Sequence, residues 1–126
     1  QEKIIPVYGN GKNVRDWLHV SDHCSALLTI AKKGIAGEAY NIGGGMEIEN
    51  IKIVKLICSH LDQKSPLKDG TSYLKLIKFV TDRLGHDFRY SVNFNKLKKT
   101  QNWKPKVNFA DGIKQTVNWY IKKNST

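Results

Sequence analysis

The chain has 126 residues, 40% of them hydrophobic, and a formal net charge of +10 at pH 7. This length suits one compact unit, so we predict a single domain over residues 1–126. No run of 18 apolar residues occurs, so we predict no membrane-spanning segment. The positive charge is compatible with nucleic acid or with an anionic nucleotide. No helix-turn-helix, zinc-finger or RNA-recognition signature accompanies the lysines, so specific nucleic-acid binding is not expected.

In chain order, the first half alternates short apolar runs with turn residues. Residues 4–8 and 14–20 are predicted to be extended segments joined by a Gly-Asn-Gly turn. Ser21 is predicted to cap a helix that ends at Gly34. Its apolar face at helical spacing consists of Cys24, Leu27, Leu28 and Ala31. Residues 39–42 are predicted to form a short buried strand.

The second half continues this mixed pattern. Asn50 is a candidate N-cap for a second helix, whose apolar face is Ile53, Val54, Ile57 and Leu61. A loop is expected between Pro66 and Gly70, and a strand over residues 74–80. Asn93 is predicted to open a short helix to about Thr100. Asn108 opens the last helix, with Ile113, Val117, Tyr120 and Ile121 facing inward.

Cys24 and Cys58 both lie in segments with helical apolar periodicity. We predict that they are buried thiols of a cytoplasmic protein, and neither a disulfide nor a nucleophile. His19, His23 and His60 do not have the spacing of metal ligands, so no metal site is predicted.

The most informative segment is residues 81–90, which places Arg83, His86 and Arg89 around Gly85. Only one other arginine, Arg15, occurs among 21 Lys and Arg residues. The planar guanidinium binds two phosphate oxygens at once, which favours anion recognition at these motifs. The alternative is that Arg83 and Arg89 pair with neighbouring aspartates on a solvated loop.

These motifs also carry a family resemblance. Asp-Arg-x-Gly-His-Asp-x-Arg-Tyr resembles the C-terminal substrate-binding segment of the dTDP-glucose 4,6-dehydratases, which are extended short-chain dehydrogenase/reductase enzymes. One departure is Leu84, where the family usually has proline. The resemblance implies an α/β fold of mixed helices and short strands. Matching segments occur in the family's order at residues 5–9, 15–17, 37–44, 102–105 and 112–120.

The resemblance also implies roles for individual residues, each with a structural alternative. Pro6, Val7 and Tyr8 would lie near the nucleotide base, or form a strand edge that packs on Trp17. Arg15 would contact the diphosphate, or form a salt bridge with Asp16 or Asp22. Asn50 would contact the substrate, or cap its helix. Arg83 and His86 would contact phosphate and substrate, and Asp82 and Gly85 would shape their loop. Arg89 and Tyr90 are predicted to be structural.

The machinery for redox chemistry is missing from this sequence. Gly9-Asn10-Gly11 and Gly43-Gly44-Gly45 do not complete the Gly-x-Gly-x-x-Gly of a Rossmann fold. Tyr8 and Lys12 match the letters of the family's catalytic Tyr-x-x-x-Lys, but the intervening glycines favour a turn over a helix. No catalytic residue is therefore predicted here. The resemblance implies NAD for the complete enzyme, and no cofactor is expected for this chain alone.

The chain opens on Gln1-Glu2-Lys3 without an initiator methionine or a signal peptide. We predict a C-terminal, substrate-binding fragment whose Rossmann half is absent. Its partners would be a dTDP-sugar, bound weakly, and the missing N-terminal half. In the family, residues 39–42 would join the parallel sheet. Without those neighbours, an unpaired strand favours a homodimer, a swapped arrangement or a different packing.

Three hypotheses about function follow. The first is a portion of a dTDP-glucose 4,6-dehydratase, whose reaction oxidises the sugar at C4, eliminates water across C5 and C6, and returns hydride to C6. The second is a portion of a related nucleotide-sugar epimerase or decarboxylase, which Leu84 and His19 leave open. The third is a non-enzymatic interaction module from a split or decayed gene.

Overall fold

The computed structural model describes residues 3–124, so the predicted fragment start at Gln1 and Glu2 lies outside the described residues. The fold mixes helices with short strands, as predicted. Its elements are β1 (Ile5–Tyr8), β2 (Val14–Asp16), α1 (Val20–Lys33), β3 (Glu47–Glu49), α2 (Asn50–Lys64), a 3-10 helix (Tyr73–Leu76), β4 (Ile77–Val80), β5 (Arg89–Tyr90), α3 (Asn95–Gln101) and α4 (Phe109–Asn124).

The strands form two small sheets. In one, β1 runs parallel to β4. In the other, β2 lies between β3, to which it is antiparallel, and β5, to which it is parallel. The predicted turn joins β1 to β2, and Gly9 and Gly11 adopt positive φ angles of 54° and 70° that other residues rarely adopt. Tyr8 to Lys12 is therefore a turn rather than a catalytic helix.

The helix predicted after Ser21 is confirmed, but its cap and its buried face are corrected. His19 is the N-cap residue, and its imidazole Nδ1 accepts a hydrogen bond from the Ser21 N–H at 3.3 Å. The buried residues are Asp22 and Ala26, whereas the four residues of the predicted apolar face are all exposed. The Asp22 carboxylate sets this orientation, because it accepts the backbone N–H groups of Lys106 and Val107 at 3.0 and 2.9 Å.

The main hydrophobic cluster joins α1 to the C-terminal third of the chain. Ala26, Leu97 and Trp103 form its buried centre. The Trp103 indole N–H donates to Ser25 Oγ at 2.9 Å, so the ring is held by a polar contact as well as by packing. Partly buried side chains surround this centre: Leu18, Ile30, Tyr40, Ile42 and Phe94.

The prediction of a buried strand over residues 39–42 was wrong for this chain. The segment has no regular secondary structure, Ala39 and Asn41 are exposed, and Tyr40 and Ile42 are half-buried. A strand needs a neighbour for its backbone hydrogen bonds, and no strand within residues 3–124 pairs with this segment. Residues 74–80 are strand only from Ile77, because the first residues form the 3-10 helix.

The remaining helices lie where they were predicted, but one cap and one inward-facing residue differ from the prediction. Asn50 is the first residue of α2 rather than its cap, and Glu49 occupies the N-cap position without a side-chain hydrogen bond. Asn93 Oδ1 and Asn108 Oδ1 accept backbone N–H groups two residues on, so both open their helices as predicted. On α4, Val117 is buried but Tyr120 is 56% exposed, which corrects its predicted inward orientation.

The two cysteines differ in environment. Cys58 on α2 is buried as predicted, and burial raises the pKa of its thiol. Cys24 on α1 is exposed, contrary to the prediction, because it lies on the face opposite Asp22. Within residues 3–124, no helix combines the length and the apolar character needed to cross a membrane.

Candidate functional site

Four of the predicted site residues converge where the turn after β1 meets the loop after β4. The Tyr8 ring lies 5.2 Å from the Arg83 guanidinium carbon and 6.4 Å from the His86 ring, in an edge-on geometry. Asp82 lies below the turn, since a Cβ on Gly9 would come within 2.7 Å of its Oδ2. The parallel pairing of β1 with β4 produces this convergence, because it aligns Tyr8 with Val80.

Successive side chains of β1 point to opposite faces, which separates the three residues predicted to lie near a base. Pro6 and Tyr8 are exposed on one face, whereas the Val7 side chain is 4% exposed and belongs to the core. A ligand on this strand would therefore meet the side chains of Pro6 and Tyr8 and only the backbone of Val7.

His86 is the most unusual side chain of the site. Its Nδ1 lies 2.6 Å from Asp82 Oδ1, and this hydrogen bond is the main reason that the pKa of Asp82 is lowered. The imidazole is 5% exposed, and its Nε2 has no hydrogen-bond partner among the described residues. A buried nitrogen without a protein partner is costly, so Nε2 is available to a water molecule or to a ligand atom.

Arg15 lies in a neighbouring part of the same surface. Its two terminal nitrogens donate to the carbonyl oxygens of Val14 and Asp87 at 2.7 and 3.0 Å. The predicted alternative, a salt bridge with Asp16 or Asp22, is not formed. Asp16 accepts the N–H groups of Gly44 and Met46 instead. Arg15 therefore keeps its full positive charge without a carboxylate partner in the described part of the chain.

Asn50 and Gly85 complete the predicted set. The Asn50 backbone N–H donates to the Asn13 carbonyl at 2.9 Å, while its side-chain amide has no hydrogen-bond partner in residues 3–124. Gly85 has φ of 66°, and a Cβ at this position would meet no atom within 4 Å. Gly85 is therefore favoured by the backbone angle of the loop that carries Arg83 and His86, and not by lack of space.

Two glycines of the glycine-rich segments are packed against protein. A Cβ on Gly11 would lie 2.7 Å from Val7 Cγ1 and 2.9 Å from Ile51 Cβ. A Cβ on Gly44 would overlap the Trp17 carbonyl oxygen. The packing of the chain itself therefore favours glycine at both positions.

A large cavity lies away from these residues. It is a groove of about 760 Å³ between α2, α4 and the segment before α1, and no predicted site residue lines it. Its walls are mostly apolar, with Trp17, Met46 and Trp119 among them. No group of three or more His, Cys, Asp or Glu side chains is arranged for a metal ion in the described residues.

Sequence reasoning missed two residues that organise the site. Glu47 on β3 binds Arg89 through two hydrogen bonds of 2.6 and 2.7 Å, which agrees with the predicted structural role of Arg89. Asn13 is buried and donates to the Asp87 carbonyl at 3.2 Å. The sequence did not mark either residue as important for the site. Glu47 lies in an ordinary Glu-Ile-Glu run, and Asn13 follows a glycine turn, where asparagine is common.

Within residues 3–124, this arrangement of four helices and two small sheets, with the Arg83 and His86 loop after β4, matches the C-terminal part of an extended short-chain dehydrogenase/reductase. The sequence profile of the GDP-mannose 4,6-dehydratase family matches residues 1–116. The chain therefore belongs to that family.

Its relatives include dTDP-glucose 4,6-dehydratases. The protein of that name from Xanthomonas campestris is 52% identical over 117 residues, which cover 93% of this chain and 33% of the relative. That of Escherichia coli K12 is 46% identical over 119 residues, covering 94% and 32%. The predicted resemblance is thus confirmed, and the chain spans about a third of the length of these relatives.

Solved structures also match this chain over most of its length. A Bacillus anthracis dTDP-glucose 4,6-dehydratase in complex with NAD superposes with a TM-score of 0.81 at 46% identity, covering 98% of this chain and 36% of that one. The Streptomyces venezuelae enzyme, with NAD and TYD bound, gives a TM-score of 0.85 at 36% identity, covering 98% and 35%. A Thermotoga maritima UDP-glucose 4-epimerase with UDP-glucose gives 0.81 at 27% identity, covering 96% and 36%.

Proposed function

We propose that this chain is the sugar-nucleotide-binding part of a dTDP-glucose 4,6-dehydratase, and that its ligand is a dTDP-sugar. The observation that carries the proposal is the patch of Tyr8, Arg83 and His86. Its guanidinium has no carboxylate partner in residues 3–124, and its buried imidazole has an unused nitrogen. A guanidinium binds phosphate oxygens in pairs, and an exposed aromatic ring supports a flat base.

The remaining predicted residues fit the same proposal. Arg15 carries a second positive charge, and Asn50 presents an amide that is free to accept or donate. Together with Arg83 and His86 they supply donors for an anionic diphosphate. A dTDP-glucose 4,6-dehydratase is favoured over an epimerase because a relative of the first name reaches 52% identity, against 27% for the UDP-glucose 4-epimerase structure.

In the complete enzyme this chain would contribute binding and orientation rather than bond-making. Holding the dTDP part fixes the sugar relative to residues outside this chain, which raises the rate without any chemistry here. The oxidation at C4 and the loss of water across C5 and C6 would take place at those residues, and NAD would be bound by them. The chain alone is therefore proposed to be inactive.

We further propose that the exposed face of α1 contacts the NAD-binding half of the family fold. Leu27 and Leu28 are 50% and 61% exposed, and Val20 and Cys24 extend the same apolar stripe. An apolar stripe of this kind is costly in water. We infer that the NAD-binding half covers this stripe because this chain accounts for only about a third of the length of its relatives. A homodimer through the same stripe is the competing arrangement.

The proposed ligand is tested by NMR titration of the isotopically labelled chain with dTDP and, separately, with GDP. We expect saturable shifts in the amides of residues 83–90 with dTDP, at a dissociation constant in the millimolar range or weaker, or roughly 4 kcal/mol. GDP should bind more weakly. Shifts spread evenly over the lysine surface, or none up to about 10 mM dTDP, would contradict the proposal. Micromolar binding would contradict the assignment of the rest of the pocket to another part of the enzyme.

A further inference from the structure

Asn13 is buried as a whole residue, and among the polar and charged residues described it shares this only with Asp22. It is 5% exposed and lies between the turn at Gly9 and strand β2. A buried amide persists only where its donors and acceptors are used, so its partners indicate what it does.

Asn13 connects three chain segments that are far apart in sequence. Its side-chain Nδ2 donates to the Asp87 carbonyl at 3.2 Å, and its own carbonyl accepts the Asn50 N–H at 2.9 Å. The next residue continues the connection, because the Val14 N–H donates to the Phe88 carbonyl at 2.8 Å. The β2 strand, the start of α2 and the 82–88 loop therefore meet at one residue.

The Asp87 carbonyl is shared with the ligand-binding candidates. Arg15 donates to the same oxygen at 3.0 Å, and His86 is the preceding residue. The turn below is rigid, since Gly11 is buried against Val7 and Ile51 and its carbonyl accepts the Ile51 N–H at 2.9 Å. A displacement of the 82–88 loop would thus move His86 relative to Arg15 and Asn50.

We propose that Asn13 is a positioning residue, which holds Arg15, Asn50 and the His86 loop in the arrangement that binds the sugar nucleotide. The inference rests on the proposed function for its ligand. Asn13 does not contact the ligand itself. It acts through the Asp87 carbonyl and the first turn of α2.

The test compares Asn13→Ala with Asn41→Ala. Asn41 is a matched control, because its Nδ2 also donates to a backbone carbonyl, that of Asn93, at 3.3 Å in a different part of the fold. In the ligand-free chain, Asn13→Ala removes the side-chain bond to the Asp87 carbonyl and keeps the backbone bond to the Asn50 N–H. It is expected to shift the amides of residues 86–88 strongly and those of residues 50–51 less, whereas Asn41→Ala leaves both unchanged. With dTDP, Asn13→Ala is expected to weaken affinity about tenfold, and Asn41→Ala less than twofold.

The two readouts separate this inference from the proposed function. If the wild-type chain does not bind dTDP, the proposed function fails, while the ligand-free shifts still decide whether Asn13 couples the three segments. If wild type binds dTDP and Asn13→Ala binds it equally well, the positioning role is wrong and the ligand assignment stands. Ligand-free shifts confined to residues 12–14 would also overturn it.

A measurement on the wild-type chain covers the case in which Asn13→Ala does not fold. The Asn13 carboxamide protons are expected to exchange with solvent at least tenfold more slowly than those of Asn41, which is exposed. Equal exchange rates would show that the bond to Asp87 is not maintained, and the positioning role would be abandoned.

Discussion

Among the three arginines, Arg83 is the one whose guanidinium makes neither a hydrogen bond nor an ion pair with the described residues. Arg15 is bound by two carbonyls and Arg89 by Glu47. Arg83 lies over the Tyr8 ring, a contact that orients its flat fork without using its donors. That geometry leaves Arg83 free to bind two phosphate oxygens.

Arg83→Lys is therefore expected to weaken dTDP binding by roughly 1–3 kcal/mol, because lysine keeps the charge but loses the planar pair of donors. The measurement is the NMR titration described above. Arg89→Lys is the comparison, since it disturbs the contact with Glu47 rather than the ligand. Unchanged affinity in Arg83→Lys would mean that Arg83 is an ordinary surface residue.

A second residue-scale prediction concerns pH. The pKa of Glu47 is lowered, first by its hydrogen bond with Arg89 and then by that with Ser91. A carboxyl whose folded pKa lies below its unfolded value stabilises the fold above the unfolded pKa, about 4.3. That stability is lost as the pH falls through the folded value.

The Glu47→Gln variant should therefore show a smaller loss of stability between pH 6 and pH 3 than the wild-type chain. Urea unfolding at several pH values measures the difference. The effect will be small because the pair is exposed. Parallel pH profiles for both proteins would show that Glu47 does not contribute to acid sensitivity.

At the scale of elements, α1 is held by polar contacts rather than by its most apolar face. Asp22 accepts two backbone N–H groups from the segment before α4, and Ser25 accepts the Trp103 indole. A donor that loses its acceptor on folding costs about 1–3 kcal/mol, so these polar contacts constrain how the helix can lie. The orientation of α1 follows from this requirement.

Asp22→Ala is accordingly expected to lower the free energy of unfolding by about 1–3 kcal/mol, because it removes the buried carboxylate that accepts the partly buried Lys106 and Val107 N–H groups. Urea denaturation measures this change. Asp111→Ala, at an exposed position in the first turn of α4, is the control and should cost no more than about 1 kcal/mol. Similar losses in both variants would mean that the Asp22 contacts are replaced by water.

At the scale of the whole molecule, the exposed stripe on α1 distinguishes the proposed arrangements. Leu27→Lys combined with Leu28→Lys should prevent association with a separately expressed N-terminal two thirds of the Escherichia coli relative. The isolated chain should remain folded, since both positions are exposed. Leu74→Lys, exposed on the 3-10 helix, is the matched control and should leave association intact.

Co-purification and sedimentation velocity give the readout. If the wild-type chain forms a dimer that the double variant abolishes, and does not bind the N-terminal part, the stripe serves a homodimer instead. If the double variant associates as well as wild type, the contact lies elsewhere.

Local patterns in the sequence were enough to predict the helices, the glycine turn and the family. These predictions depend on local features: the apolar spacing along α1 and α2, the asparagines before α3 and α4, and a family motif that is recognised from its residues without knowledge of the fold. The sequence also identified Arg83, His86 and Arg15 as candidates, because arginine is scarce in this lysine-rich chain.

The arrangement of these parts depends on contacts between distant segments and could not be predicted from local patterns. The residue spacing of α1 allowed two apolar faces, and Asp22 selected one through partners more than 80 residues away. Residues 39–42 include residue types that favour a strand, but no strand in the described chain pairs with them. Asn13 gained its role from bonds to Asn50 and Asp87. Local patterns specify what a segment can form, whereas the hydrogen-bond partners of buried groups come from distant segments and are therefore decided only by the fold.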